Sequence, residues 1–237
     1  MKLEKLLARG IGGWLQFEHA CQRGEIFSEK YLSLPIAQIL NTKFNDKVRS
    51  EIKHPILGDL TPGRGRPPEI DFTVQDDNNK IVVAIESKWI GKSTTKQTVE
   101  RIIWDLVRLA MIGNNDKIKC YFIIAGKKKN LTMLFENRHF TGEPNKKGLL
   151  KPILSTDPTV RNQKFRIDSP SDERFKLLKP IFKLCQDIEL PMNIGTSKVK
   201  YYPIEAYNYE YQAYVWEITP TRNNTVFKPK NHSVYRS

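Results

Sequence analysis

The chain has 237 residues, 39% hydrophobic and 27% charged, which is enough to bury one sizeable core, and its three scattered cysteines indicate neither a disulfide framework nor a zinc site. Its net charge of +13 favours a polyanionic partner, and nucleic acid is the first candidate. Because no apolar run approaches the ~20 residues of a membrane-spanning helix and no signal peptide opens the chain, we expect a soluble, cytoplasmic protein without a membrane partner.

Residues 1–43 have the apolar spacing of two or three helices. Leucines recur at helical spacing up to residue 7, three glycines between residues 10 and 13 interrupt the pattern, and apolar residues resume at Trp14. A later helix has two alternative starts. Either Ser28 caps a helix that begins at Glu29 and is kinked by Pro35, or Ser33 is the cap and Pro35 lies in the first turn. Residues 41–68 are polar and predict a turn-rich connection.

Residues 69–88 have the pattern of a β-hairpin. Two runs of alternating apolar residues flank an Asp-Asp-Asn-Asn turn, and these residue types tolerate the left-handed backbone that such turns need. A loop of two or of four residues predicts the same cross-strand pairs: Phe72 with Val83, Val74 with Ile81, and Ile70 with Ile85. One face is then apolar, and the other carries Asp71, Glu86 and Lys88 at one end of the hairpin.

A helix and a buried strand follow the hairpin. A capping box begins at Thr94, and apolar residues then recur at helical spacing up to Gly113. The apolar run from Ile118 to Ala125 predicts a strand that is covered on both faces. Because strand, helix and strand form a right-handed crossover unit, this strand should lie parallel to the one that carries Glu86.

The C-terminal half has weaker patterns. We expect a short helix around residues 131–137, a helix over 171–187 that is interrupted at Pro180, and a pair of aromatic strands within 200–218. The aromatic strands predict a half-buried antiparallel ribbon, although their rings could also stack on exposed bases. Residues 220–237 are polar and basic and predict a loose tail.

The charged end of the hairpin has the residue types for phosphodiester hydrolysis. Such cleavage needs a hard divalent cation, and Mg²⁺ prefers one or two carboxylates with water and phosphate oxygens. Asp71, Glu86 and the backbone carbonyl of Ser87 can supply the protein ligands. Lys88 can hold or help to deprotonate the attacking water and offset the charge of the phosphorane.

This arrangement resembles the PD-(D/E)XK nuclease superfamily, whose signature is an acid on one strand and an acid-x-Lys triplet on the next. Here 14 residues separate Asp71 from Glu86-Ser87-Lys88. Pro68 stands three positions before Asp71 instead of directly before it, so Glu69 is an alternative first acid. The resemblance covers residues 28–126. It implies a three-layer α/β/α sandwich around a mixed central sheet, a restriction-endonuclease-like core, with β-rich C-terminal additions.

The resemblance also implies further site residues. Many members place an acid on a helix before the hairpin, where it contacts the metal through water, and Glu29 is our choice, with Glu18 as the alternative. Gln97 and Arg101 resemble polar groups that some members place beside the site. A second Glu-x-Lys triplet, residues 51–53, follows a polar segment and has no hairpin partner that carries an acid, so we exclude it.

Several basic residues are candidates for DNA contacts or, alternatively, are solvated surface charges. The loop that enters the hairpin reads Arg64-Gly65-Arg66-Pro67, which also resembles the core of an AT-hook. Lys92 follows the hairpin, and Lys127 and Lys128 follow the buried strand, a position that favours contact with DNA. A further basic pair stands at residues 146 and 147.

The sequence thus predicts a single nuclease domain over residues 1–219, with its core at 28–126, a C-terminal elaboration at 127–219 and a tail at 220–237. The resemblance implies Mg²⁺-dependent cleavage of DNA, with Mn²⁺ as a substitute, that leaves a 5′-phosphate and a 3′-hydroxyl. A small restriction or defence endonuclease that acts as a homodimer is the first interpretation. A structure-selective nuclease of the resolvase or repair type is an alternative, and a binding module without catalysis is another.

Overall fold

The computed structural model describes residues 1–59, 67–91, 95–113, 117–144, 151–168, 173–204, 209–219, 225–233 and 235. Over these residues the protein is a mixed α/β structure, in which eight strands form one mixed sheet, two strands form a small second sheet, and six α-helices pack around them. The expected mixed central sheet is therefore confirmed. None of the described helices is both long and apolar enough to cross a membrane.

The helices and strands have the following bounds. The α-helices are α1 (Leu3–Ala20), α2 (Glu29–Phe44), α3 (Lys96–Gly113), α4 (Lys128–Phe135), α5 (Arg138–Thr141) and α6 (Lys179–Leu184). The strands are β1 (Val48–Lys53), β2 (Glu69–Gln75), β3 (Ile81–Ile90), β4 (Lys119–Lys127), β5 (Asn162–Arg166), β6 (Leu190–Pro191), β7 (Asn193–Ser197), β8 (Lys200–Tyr202), β9 (Tyr211–Thr219) and β10 (Val226–Phe227).

The large sheet has the strand order β1-β2-β3-β4-β9-β7-β5, and β8 also pairs with β9. Strands β3 and β4 are parallel, as the crossover through α3 predicted, and every other described pairing in this sheet is antiparallel. The sheet has an apolar core on each face. Helices α1 and α2 cover one face with side chains such as Leu7 and Ile36, and α3 covers the other with side chains such as Ile103 and Leu106.

Helix α1 runs through the glycines that were expected to interrupt it. A Cβ atom on Gly12 would stand 2.3 Å from the backbone oxygen of Tyr202, and one on Gly10 would stand 2.5 Å from Ile39. These glycines therefore allow close contact with β8 and α2 instead of ending the helix. In α2 the first of the two predicted starts is confirmed, because the Ser28 hydroxyl accepts a hydrogen bond from the backbone of Tyr31.

Strand β1 was missed in the sequence, where residues 41–68 were expected to be a turn-rich connection. It is an edge strand with mostly exposed side chains, so its apolar alternation is weak. The excluded Glu-x-Lys triplet lies on this strand, and the prediction that it had no partner strand with an acid was wrong, because β1 pairs with β2, which carries Glu69 and Asp71. Glu51 is exposed and has a left-handed φ of 52°, and Lys53 pairs with Asp59 at 2.7 Å.

The β2–β3 hairpin has a different register from the predicted one. Phe72 pairs with Ile85 and Val74 with Val83, which is a shift of two residues. The shift has two causes: a five-residue loop over 76–80 pairs Gln75 with Ile81, and a bulge between Val74 and Gln75 adds the second residue. In the loop, the Asp76 carboxylate accepts hydrogen bonds from the backbone of Asn78 and Lys80, each at 2.9 Å. Because the shift is even, Phe72, Val74, Val83 and Ile85 still share one apolar core. The prediction that Ile70 lies on the same face was wrong, because Ile70 packs in the other core with α3.

The C-terminal half completes the large sheet. The predicted aromatic strands are confirmed as β8 and β9, but β9 is an inner strand between β4 and β8, and Trp216 is fully buried on it. The predicted helix over 171–187 is, where described, a 3₁₀ turn at Glu173–Leu178 followed by α6. The predicted loose tail is also corrected, because β10 pairs with β6 and the buried Tyr235 donates a hydrogen bond to the backbone of Ile167.

Candidate active site

The candidate site lies where strands β2 and β3 separate. Their pairing ends at Phe72 and Ile85, after which β3 continues along β4 and β2 continues along β1. One step beyond the last pair, Asp71 and Glu86 stand at equivalent positions of the two strands. The separation frees backbone groups of β3 from the sheet on that side, so they can bond to side chains instead.

Ser87, which stands between Glu86 and Lys88, holds the Asp71 side chain in place. Its Oδ2 atom accepts hydrogen bonds from the backbone N–H of Ser87 at 2.7 Å and from the Ser87 hydroxyl at 2.8 Å. Burial raises the pKa of Asp71 above its usual value, and the two bonds from Ser87 oppose that shift. The carboxylate is thus held against β3 in a partly desolvated position.

Glu86 is almost fully buried, at 2% exposure. Its Oε1 atom lies 2.9 Å from Nη2 of Arg108, which is ion-pair distance, but the atoms are not aligned for a hydrogen bond. Burial and the nearby Asp105 carboxylate raise the pKa of Glu86 well above its usual value, although Arg108 opposes the shift. The charged form of Glu86 is therefore under-compensated in the protein alone.

Asp105 and Arg108 on α3 were missed as site residues in the sequence. Nη2 of Arg108 lies 2.6 Å from Oδ1 of Asp105, and Nη1 donates to the backbone oxygen of Glu69 at 2.8 Å. A signal for them exists in the sequence, because they are the two charged residues in the otherwise apolar stretch 102–113. A helix that is apolar on nearly every side is buried, and so its charges must find partners inside the protein.

Lys88 lies between two carboxylates from different helices. Its Nζ atom is 3.1 Å from Oδ2 of Asp105 and 3.2 Å from Oε1 of Glu29, in the first turn of α2. Burial lowers the pKa of Lys88, but Asp105 and Glu29 outweigh this effect and raise it above the usual value, so the ammonium stays protonated. Glu18, the alternative helix acid, instead accepts a hydrogen bond from the Tyr31 hydroxyl at 2.7 Å and pairs with Arg23 at 3.2 Å.

The charges of this cluster suit a divalent cation. Four carboxylates, from Glu29, Asp71, Glu86 and Asp105, surround two cations, Lys88 and Arg108, so the cluster has a formal excess of two negative charges when all of its groups are ionised. Within the described ranges, no hydrogen bond or ion pair uses Oδ1 of Asp71 or Oε2 of Glu86. These two oxygens and the Ser87 carbonyl fit the sparse oxygen donor set of Mg²⁺.

A metal site built mainly from protein ligands does not fit. In the part of the chain that the structure describes, no three His, Cys, Asp or Glu side chains are grouped so that they could hold a metal ion. Zinc sites need three or four such ligands, whereas Mg²⁺ keeps several waters and needs only one or two carboxylates. The donor set therefore favours a hard, hydrated cation.

The predicted DNA-binding residues have different outcomes. Arg64, Arg66 and Lys92, together with the pair at 146 and 147, lie outside the described residues. Gln97 and Arg101 are exposed on α3, and neither makes a hydrogen bond or ion pair with a described residue of the cluster. Lys127 pairs with Glu210 at 2.9 Å, and Lys128 lies 4.6 Å from the ring centroid of Tyr209.

Residues 127–129 line an open cavity with Tyr209 and Glu210. Lys127 is the last residue of β4 and residues 128 and 129 follow it, and Lys88 lies near the end of β3. Because β3 and β4 are parallel, their carboxyl ends meet at the same edge of the sheet. The basic residues and the acidic cluster therefore lie along one edge.

The His54 side chain contacts the backbone of Arg108, next to the acidic cluster. It is 1% exposed, its Nδ1 accepts from the backbone of Ile56 and Leu57, and its Nε2 lies 3.1 Å from the backbone oxygen of Arg108. An Nδ1 that accepts two hydrogen bonds is unprotonated, so Nε2 carries the proton and donates to Arg108. Burial lowers the pKa of His54 to about 4.

This low pKa predicts a pH-dependent contribution to stability. Because the folded pKa lies below the unfolded value of 6.5, the contribution is complete above pH 6.5 and is lost as the pH falls toward 4. We expect the difference in unfolding free energy between the wild type and His54→Gln to narrow by about 2 kcal/mol between pH 7 and pH 5. Urea unfolding at both pH values measures this difference. His19→Gln, which removes a half-exposed imidazole, is the control. If the difference between the wild type and His54→Gln is the same at pH 7 and pH 5, the low pKa of His54 is contradicted.

No family model matches this chain, and no curated protein and no solved structure matches it. The geometry of the Asp71, Glu86 and Lys88 cluster therefore carries the functional argument.

Proposed function

We propose that this protein is a Mg²⁺-dependent DNA endonuclease with a restriction-endonuclease-like core, which hydrolyses phosphodiester bonds to 5′-phosphate and 3′-hydroxyl ends. The observation that carries the proposal is the convergence of Asp71, Glu86 and Lys88 where β2 and β3 separate. Asp71 accepts a hydrogen bond from Ser87, the residue between Glu86 and Lys88. Asp105 contacts both Lys88 and Arg108, and Arg108 in turn faces Glu86. A chance arrangement of surface charges would not be buried and mutually paired in this way.

Each residue has a chemical role in this proposal. Asp71, Glu86 and the Ser87 carbonyl would hold Mg²⁺, or Mn²⁺ in its place. When bound, the cation supplies positive charge for the scissile phosphate and lowers the pKa of a water molecule. Lys88, which stays protonated, orients the attacking water by donating to it and offsets the negative charge of the phosphorane. Glu29 keeps the ammonium of Lys88 in place through their contact at 3.2 Å.

DNA is the proposed partner because of the charge of the chain and the place of its basic residues. The net charge is +13, and the basic residues 127–129 lie on the same sheet edge as the cluster. A duplex that crosses this edge would contact these lysines with its phosphates while one phosphodiester reaches the acidic cluster. Cleavage of both strands by a homodimer is part of the same proposal.

The lysine contacts lead to a measurable prediction. We expect the double variant Lys128→Glu and Lys129→Glu to bind duplex DNA at least ~10-fold more weakly, because contacts between lysine and phosphate dominate affinity. The slope of log K against log salt should fall by about 1 for each lost contact. Fluorescence anisotropy at several salt concentrations measures both quantities. A double variant of the exposed Lys164 and Lys183, which has the same change of charge elsewhere, is the control. An equal loss of DNA affinity in the two double variants would show a general effect of charge and would contradict specific contacts by Lys128 and Lys129.

Incubation of plasmid and genomic DNA with Mg²⁺ tests the function and separates it from its rivals. Discrete bands from any plasmid would support a restriction enzyme, and selective cutting of branched DNA would support a resolvase or repair nuclease. Binding without Mg²⁺-dependent nicking would establish a non-catalytic module and overturn the proposal. Linear product without a nicked intermediate, together with a dimeric mass by light scattering, would support cleavage by a homodimer.

A further inference from the structure

Arg108 is anchored in its place without the help of Glu86. Its guanidinium lies 2.6 Å from Asp105 and donates to the backbone oxygen of Glu69 at 2.8 Å, and its own backbone oxygen accepts from His54. The side chain is 12% exposed. A guanidinium that two groups hold, on a residue whose backbone is also hydrogen-bonded, is fixed relative to the cluster, so it can act as a permanent local charge.

The ion pair between Arg108 and Glu86, in contrast, is incomplete. A strong arginine–carboxylate pair uses two parallel N–H donors, one of which is often Nε. Here Nη2 faces Oε1 at 2.9 Å without hydrogen-bond alignment, and Nε of Arg108 has no hydrogen-bond partner in the described part of the chain. Glu86 thus has one imperfect contact, and a cation with better geometry can compete with it.

We propose that Arg108 acts as a counter-ion latch, which holds the Oε1 side of Glu86 in the cation-free protein and competes for the charge of that carboxylate with a divalent cation that enters at Oε2. The inference rests on the proposed function, because it takes Glu86 as a cation ligand. Asp105 retains Arg108 when the cation binds Glu86, so the guanidinium stays in position. Arg108 is therefore a positioning residue, which sets the affinity for the cation and touches neither substrate nor metal.

The latch predicts two opposite effects when the charge of Arg108 is removed. The cluster then holds four carboxylates and one cation, so its net charge changes from two to three negative charges, and a divalent cation should bind about tenfold more tightly. The cation-free protein should melt at a lower temperature, because Glu86 and Asp105 lose their buried partner. Addition of the cation should raise the melting temperature of the protein without the Arg108 charge by more than it raises that of the wild type.

The test is calorimetric titration of DNA-free protein with Mg²⁺ and with Mn²⁺, combined with melting curves in their presence and absence. Arg108→Met keeps the apolar stem and removes the charge, and Arg108→Lys keeps the charge. Arg9→Met removes an exposed arginine from α1 and is the matched control. The expected result is tighter binding in Arg108→Met alone, with Arg108→Lys and Arg9→Met close to the wild type.

The possible failures are distinguishable. Binding by Arg108→Met that is equal to or weaker than in the wild type overturns the latch. Equally tight binding by Arg108→Met and Arg9→Met overturns it as well, because that result reports overall charge. If Arg108→Met does not fold, Asp105→Asn serves instead, and binding that is not weaker than in the wild type overturns the latch. If the wild type and Asp71→Asn bind the cations equally well, or if neither binds them, the proposed cation site itself is refuted. That result is a failure of the proposed function and is separate from a failure of the latch.

Discussion

Replacement of Lys88 by alanine is expected to slow Mg²⁺-dependent cleavage of plasmid DNA by about 10²–10³-fold, the usual effect of losing one preorganised donor to a developing charge. The Lys88 side chain is 18% exposed and its ammonium lies between Asp105 and Glu29, so it is already oriented before substrate binds. Its loss removes a positive charge from the place where the phosphorane gains negative charge. Initial rates of nicking on supercoiled plasmid measure the effect.

A comparison with other variants separates catalysis from charge. Lys80→Ala removes an exposed lysine from the hairpin loop and should cleave at the wild-type rate. Affinity for DNA, measured without Mg²⁺, should change little in Lys88→Ala, because the effect lies in the transition state. Cleavage by Lys88→Ala at the wild-type rate, with Lys80→Ala unchanged, would refute the catalytic role of Lys88.

The second large effect is structural and concerns two neighbouring glycines of α1. We expect Gly12→Ala to destabilise the protein by about 2–3 kcal/mol and Gly13→Ala to stabilise it by about 0.5–1 kcal/mol. A Cβ on Gly12 would stand 2.3 Å from the Tyr202 oxygen and 2.9 Å from its carbonyl carbon. Both atoms belong to the backbone of β8, which cannot turn aside as a side chain can.

Gly13 is the internal control, since it has the same residue type in the same helix. The nearest atom to its added Cβ would be Cε1 of Tyr202 at 4.0 Å, which is an ordinary contact. Only the gain in helix propensity should then remain. Urea unfolding of both variants measures the difference. Equal changes of stability in the two variants would contradict the close approach of α1 to β8.

The elements that apolar periodicity determines could be predicted from the sequence. Helix α3 and strand β4 have near-continuous apolar patterns, and the crossover rule then gave the parallel pairing of β3 with β4. The register of the hairpin could not be predicted, because it depends on the hydrogen bonds from the backbone of the loop to the Asp76 side chain and on a bulge between Val74 and Gln75, which residue patterns do not specify.

The missed features share a physical cause, which is that each depends on contacts between distant parts of the chain. Strand β1 has little apolar alternation because it is an edge strand, and its partner β2 determines its conformation. Gly12 looks like a helix breaker until Tyr202 is placed beside it. Asp105 and Arg108 attract attention only after α3 is recognised as buried on nearly all sides.

The position of β9 has a consequence for the synthesis of the protein. Residues 211–219 supply the strand that pairs with the edge of β4 opposite β3, along almost its whole length. While the ribosome is still translating the residues before 211, the first half of the chain has an apolar strand with one open edge, a template for pairing with other nascent chains. Asp71, Glu86 and Lys88 emerge early, yet the sheet that supports them closes only when the last of its strands has been made. We therefore expect the segment 28–126, if it is expressed alone, to leave this edge of β4 open.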